Sequence, residues 1–126
     1  MTQTEYVPGV CNIGPAEIAR RRRVGWIGLG VTAVLFGVLI AVDAGRWWML
    51  LVFLPATMSA SGFLQAHFRF CAGFSRAGVF NFGPIGQTQR VEDQESLAAD
   101  RKRGNQILLY SMLIGAAVAL LAVMMA

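Results

Sequence analysis

Charge is scarce in this chain. Only 14% of its 126 residues are Asp, Glu, Lys or Arg, where an ordinary soluble domain carries about 25%, so a solvated globular surface of the usual kind is excluded. Cysteine is limited to Cys11 and Cys71 and histidine to His67, with no Cys-x-x-Cys pair. A disulfide-built scaffold and the common zinc frameworks are excluded with them. No Gly-rich stretch carries a Walker lysine or dinucleotide-binding spacing, and no serine has a neighbouring histidine and carboxylate pattern. Nucleotide-binding loops and hydrolytic triads therefore lack their parts, and an enzyme is not expected. Glu92, Asp93, Glu95 and Asp100 cluster in one polar stretch, which suits a solvated helix surface better than paired acid–base chemistry.

Apolar sequence is abundant. Residues 24–42, 47–66 and 107–126 run for 19, 20 and 20 positions without an acidic or basic side chain, in a chain that is 56% hydrophobic with a mean hydropathy of +0.54. A bilayer core takes about 20 apolar helical residues, so each run is long enough to cross it. The expected fold is an all-α integral membrane protein with three transmembrane helices. Its parts are a cytoplasmic segment 1–23 with a turn and basic cluster, helix 24–42, a short outer link 43–46, helix 47–66, a cytoplasmic interfacial and polar helical segment 67–106, and helix 107–126. A competing reading makes residues 20–44 a cleaved signal peptide ending at Val42 and Ala44. The apolar stretch exceeds the roughly 7–15 residues of a signal core, which favours a retained span.

The basic residues set an orientation. Arg20, Arg21, Arg22 and Arg23 stand directly before the first run, and Arg101, Lys102 and Arg103 before the third, whereas the first link holds only Asp43 and Arg46. The positive-inside rule then places the N-terminus in the cytoplasm and Ala126 outside, as in the cytoplasmic (inner) membrane of a bacterium. Trp47 and Trp48 suit an outer aromatic belt, with Trp26 as the cytoplasmic counterpart. The pI near 9.8 points to anionic lipid headgroups, not nucleic acid, because the basic residues flank apolar runs and form no separate domain.

Helices in lipid associate through small residues. Three ladders offer this: Gly30, Ala33, Gly37 and Ala41; Ser59, Gly62 and Ala66; and Ser111, Gly115 and Ala119. They predict packing within one bundle, with one ladder free for another subunit. Pro55 lies inside the second run and predicts a kink between Leu51 and Pro55. No ionisable residue lies deep in any run, which removes the usual marker of a proton relay or ion path.

Residues 9–15, Gly-Val-Cys-Asn-Ile-Gly-Pro, return at 78–84 as Gly-Val-Phe-Asn-Phe-Gly-Pro, with five of seven positions identical. The shared Asn-x-Gly-Pro predicts two equivalent turns, each with its proline, Pro15 or Pro84, opening a helix. Phe68, Phe70, Phe74, Phe80 and Phe82 mixed with Arg69 and Arg76 suggest a segment anchored in the lipid interface. The polar stretch to Arg103 is expected to be a helix running into the third span, loosened at Gly104 and Asn105. His67 and Cys71 share a helix face if the second helix continues through them, and Cys11 would make a third soft ligand for a metal or haem iron. Ordinary packing of the two thiols is the competing explanation, and no cofactor is otherwise expected.

These observations favour a small membrane protein that acts by association, as an accessory subunit of a larger complex or as a homo-oligomer. A metal- or haem-binding protein using Cys11, His67 and Cys71 is the alternative. A homo-oligomeric channel is a third, for which Thr57, Ser59, Ser61 and Gln65 offer a partial polar stripe.

Overall fold

The computed structural model describes residues 6–126, of which 73% are helical. Helix α1 is Pro15–Ala41, a 3-10 helix covers Arg46–Val52, α2 is Phe53–Phe68, α3 is Ala72–Ala77 and α4 is Gln94–Met125. Three elements are long and apolar enough to cross a membrane: α1, the joined segment Arg46–Phe68, and α4. Two short strands, β1 (Val79–Phe80) and β2 (Gln89–Arg90), pair antiparallel between α3 and α4. These strands and the isolated bridges Val7 to Cys11 and Ile13 to Asn81 are additions to the all-α expectation.

Pro15 opens α1 at the position where a missing N–H costs nothing and φ is already helical. The helix then runs unbroken through the four arginines. It ends in a Schellman turn: Ala44 N–H bonds Leu39 O (3.0 Å), Asp43 N–H bonds Ile40 O (3.1 Å), and Asp43 takes the left-handed conformation at φ 54°. Helix α2 ends in the same way, with Phe70 N–H on Gln65 O (3.0 Å), Arg69 N–H on Ala66 O (3.3 Å), and Arg69 at φ 54°. The second turn stops α2 before Cys71, so the continuous helix through His67 and Cys71 does not form.

The break expected near Pro55 takes the form of a change in helix type. The seven residues Arg46–Val52 wind as a 3-10 helix, and Phe53 N–H bonds Leu50 O in the 3-10 manner before α2 begins. Pro55 then falls in the first turn of α2, where its missing donor leaves no gap. The three-residue period aligns Met49 with Val52, and the later four- and three-residue steps carry the same buried face on through Ala56, Ser59, Gly62 and Ala66.

The segment containing α2 packs against both α1 and α4. Against α1 the contact is backbone on backbone. A Cβ added to Gly62 would stand 2.6 Å from Gly25 N, and one added to Gly28 would stand 2.9 Å from Ser59 Cα. Ser59 Oγ donates to Gly25 O at 2.7 Å across this seam. Against α4 the ladder Ser111, Gly115, Ala119 is buried, and Thr57 occupies the space a Cβ on Gly115 would need. Towards the far end Leu39, Met49, Val52, Ala56 and Ala122 close an apolar core.

Two of the three ladders are therefore used inside the chain. The first is not: Gly30, Ala33, Gly37 and Ala41 are all exposed, and a Cβ on Gly30 or Gly37 would meet nothing within 4 Å. Gly25 and Gly28 take the internal role on α1. Gly30 sits two positions beyond Gly28, about 200° around the helix, and so faces away. Gly104 also departs from expectation. Helix α4 passes straight through it, because the absent side chain leaves room for Ser75 of α3, whose Oγ lies where a Cβ would fall.

Gly62→Leu and Gly115→Leu are expected to lower the unfolding free energy in mild detergent by at least the roughly 1–3 kcal/mol typical of overpacking. Gly30→Leu is expected to stay within about 0.5 kcal/mol of the parent, as for an exposed site. Equilibrium unfolding of the three variants checks both.

Candidate functional site

The polar segments gather at one end of the helices, and the two heptapeptides meet there. Gly14 N–H bonds Asn81 O (2.8 Å) and Asn81 N–H bonds Asn12 O (2.9 Å), making a parallel bridge between the copies. Gly14 has no room for a side chain, since a Cβ would lie 2.6 Å from Phe82 O. Gly9 and Gly78, the first residues of the two copies, both adopt positive φ (69° and 72°) and both abut the first turns of α4, at Ala99 and Leu97.

Equivalence ends at the asparagines. Asn12 reaches across the chain: its Oδ1 accepts from Cys71 N–H (2.7 Å), its Nδ2 donates to Cys71 O (3.2 Å), and its own N–H bonds Arg69 O (3.1 Å). Asn81 instead organises its own turn, accepting from Gly83 N–H (3.0 Å) and donating to Pro84 O (2.9 Å). Pro84 does not start a helix as Pro15 does. Gly86, at φ 95°, turns the chain back so that β2 pairs with β1.

Below the asparagines lies a buried charge pair that the sequence did not reveal. Glu17 is 1% exposed, accepts from Asn81 Nδ2 at 3.4 Å, and has Arg21 Nη1 2.9 Å from its Oε2. That last approach is an ion contact without an aligned hydrogen bond. Arg21 also donates to Cys71 Sγ (2.8 Å) and lies over the Phe74 ring. Arg21 is thus an internal tie, whereas Arg20, Arg22, Arg23, Arg101 and Lys102 are exposed, as expected of residues meeting headgroups or water.

A second clasp joins the N-terminal segment to α4. Asp100, expected on a solvated surface, is fully buried; it accepts from Tyr6 Oη (2.5 Å) and Gly9 N–H (2.8 Å). Arg103 Nε donates to Gly9 O (3.0 Å) and its guanidinium lies over Phe68. Burial, reinforced by Asp100, raises the Tyr6 phenol well above its ordinary range, so it stays a donor. The aromatic segment is drawn into this cap: Phe70 is wholly buried and Tyr6 stacks on Phe80 at 4.6 Å.

Cys11, His67 and Cys71 are placed differently from one another. Cys11 is buried, its thiol directed at Ile13 O (3.6 Å) and held protonated by that burial. Cys71 is buried beneath Arg21, and His67 is exposed, edge-on to Phe68. Among the described residues no three His, Cys, Asp or Glu side chains form a group able to hold a metal ion. Residues of the candidate channel stripe make contacts within the chain. Thr57 and Ser59 sit in the helix seams, and Gln65 bonds Ser61 Oγ (2.8 Å) and receives Ala72 N–H (3.1 Å).

Two clefts open on the cap. One, of about 560 Å³, lies beside Tyr6, Phe80, Asn81 and Gln87 and offers amides and ring faces. The other, of about 440 Å³, lies where the start of α1 meets the end of α2, with Arg22, His67 and Arg69 around it. Comparison of the chain with protein-family models, curated proteins and solved structures gave no match.

Tyr6 supplies a pH dependence with a defined sign. A folded-state pKa above the unfolded value of about 10 contributes stability that is complete below that value and is lost as pH rises beyond it. The stability difference between the parent and Tyr6→Phe is expected to hold from pH 7 to about 9 and to shrink towards pH 11. Unfolding of both proteins across that range checks it.

Proposed function

We propose that the chain is an integral protein of a bacterial cytoplasmic membrane and that it works by association, using the outer face of α1 to hold another transmembrane helix. The helix comes from a second copy or from a larger complex in which this chain is an accessory subunit. The observation that carries this reading is the unused ladder. Gly30, Ala33, Gly37 and Ala41 form a strip of exposed small residues on an otherwise apolar face, with open space around Gly30 and Gly37. A shallow apolar trough of about 530 Å³ runs along the same face between Ile27, Val31, Val34 and Val38. In lipid, such a strip gains packing only when a second backbone approaches it.

Membrane placement is supported by the apolar side chains left outside on all three long elements, among them Ile27, Val34, Leu54, Leu113 and Leu120. In water they would form patches far larger than a soluble monomer carries. The cap end holds the exposed Arg20, Arg22, Arg23, Arg101 and Lys102, while the opposite link holds Asp43, Arg46 and the exposed Trp47 and Trp48. That asymmetry supports a cytoplasmic cap and an outer link. Neither a metal centre nor a pore is favoured by any contact described above.

One set of variants tests orientation and association together. In a background with Cys11 and Cys71 replaced, Gly45→Cys should react with an impermeant reagent on intact cells, and Glu95→Cys only after the membrane is opened; the reverse pattern overturns the orientation. Glu95 is chosen because it is exposed, whereas its neighbour Ser96 is buried. In the parent sequence Gly37→Leu should abolish the oligomer or complex seen by crosslinking and native mass spectrometry, with the unfolding midpoint unchanged. Assembly that survives Gly37→Leu overturns the association face.

A further inference from the structure

The exposed row on α1 continues past the apolar run into the arginines. A seven-residue step returns to within about 20° of the same helix face, so Arg23 lies in line with Gly30 and Gly37, and alternating three- and four-residue steps add Arg20, Ile27, Val34 and Ala41. All seven are exposed on an unbroken helix. The trough of about 530 Å³ takes in Ile27, Gly30 and Val34 of this row. One surface thus joins an apolar stretch open to a second backbone with two guanidinium groups at its cap end. Among the described residues neither Arg20 nor Arg23 has a hydrogen bond or ion pair within the chain, in contrast to Arg21, which Glu17 and Cys71 engage.

Charge decides what this surface receives. Copies of one chain insert with one orientation, so a second copy docking through the same row would run parallel and set Arg20 and Arg23 against their own counterparts. Gly30 and Gly37 invite an approach closer than the roughly 8–10 Å of ordinary helix pairs. That brings the like charges within about one screening length, which is about 8 Å at physiological salt. The other spans of a second copy offer no acid at that level. Helix α4 enters its apolar run behind the exposed Arg101 and Lys102, and α2 ends beside the exposed His67. The exposed acids among the described residues are Asp43, in the link at the far end, and Glu92, Asp93 and Glu95. Even Glu95 stands about 18 Å along α4 from Ile107, where the apolar run starts.

We infer that the occupant of this face is a membrane helix of a different protein, one that presents Asp or Glu at the cap-side boundary of the bilayer opposite Arg20 and Arg23, and small side chains opposite Gly30 and Gly37. This assignment rests on the association reading above and narrows its two sources of the helix to one. A carboxylate there takes the planar fork of a guanidinium in two parallel bonds and fixes the register in which the glycines meet the partner backbone.

A charge-reversed copy of the chain itself serves as the acidic partner in the test. Two differently tagged copies are co-expressed so that both enter one membrane, and pairs are measured by crosslinking in the membrane and by native mass spectrometry after mild extraction. Parent with parent, and the double variant Arg20→Glu, Arg23→Glu with itself, are expected to stay unpaired. Parent with the double variant is expected to pair at least about tenfold more, and Gly37→Leu in either copy to abolish that pair. Both arginines are exposed, so an unchanged unfolding midpoint keeps folding out of the comparison. Parent pairs that Gly37→Leu abolishes would make a second copy the occupant, overturning the different partner and leaving the association reading intact. No pairing in the mixed sample, or pairing insensitive to Gly37→Leu, would overturn the α1 face and the association reading with it.

Discussion

At the crossing of α1 and α2 the two backbones stand so close that Gly28 and Gly62 have no space for a Cβ, the Phe63 ring fills that space at Gly25, and Ser59 donates directly to Gly25 O. Everything at the cap depends on that distance. It sets where Arg21 emerges relative to Cys71 one turn further along, and it fixes the end of α2 against the start of α1, where Asn12 can reach both backbone groups of Cys71. A side chain on Gly28 or Gly62 would move the helices apart and open these contacts together. In a bilayer this contact has no solvent-driven term to support it, so its strength lies in dispersion and in one hydrogen bond across the seam.

The cap holds its polar groups by mutual satisfaction. Cys71 would leave a buried N–H without a partner if Asn12 were absent, at about 1–3 kcal/mol, and the same asparagine side chain donates to Cys71 O beside the bond that carbonyl accepts from Ser75 N–H. Asp100 accepts a phenol and a backbone N–H from the N-terminal segment in a similar way. These ties close the bundle at one end only. The other end is closed by apolar contact among Leu39, Met49, Val52 and Ala122. The two ends therefore answer to different physics, charge and hydrogen bonding at the cap and packing at the link.

The long helices were legible in the sequence because hydropathy over 20 residues is a one-dimensional property. Pairing of faces is not. The ladders at Gly30, Ser59 and Ser111 have the same chemistry, and nothing local distinguishes the one that faces outward; Gly25 and Gly28, which make the α1 seam, lie nearer the cap than that ladder. The heptapeptide repeat was visible as identity, but its pairing rests on Gly14 meeting Phe82, 68 positions away. Asp100 read as surface charge because its partner Tyr6 is 94 positions distant, and the burial of Glu17 left no sequence signal because Asn81 is 64 positions away. Pro84 failed as a helix start because Gly86 follows it and turns the chain towards β2. The basic cleft was hidden similarly, since Arg22 and Arg69 become neighbours only when α2 returns to the start of α1.

The clasp between the N-terminal segment and α4 imposes an order on biosynthesis. Tyr6 and Gly9 leave the ribosome more than 90 positions before Asp100, to which both bond. At a synthesis rate of about 5–20 residues per second, the segment waits roughly 5–20 s for its partner. During that interval Asn12 can engage Cys71 once α2 is complete, but the segment from Tyr6 to Gly9 stays unfastened until α4 has formed. Closure of the clasp therefore marks the arrival of α4, and a chain truncated before Asp100 would keep the segment from Tyr6 to Gly9 open to proteases and quality-control factors.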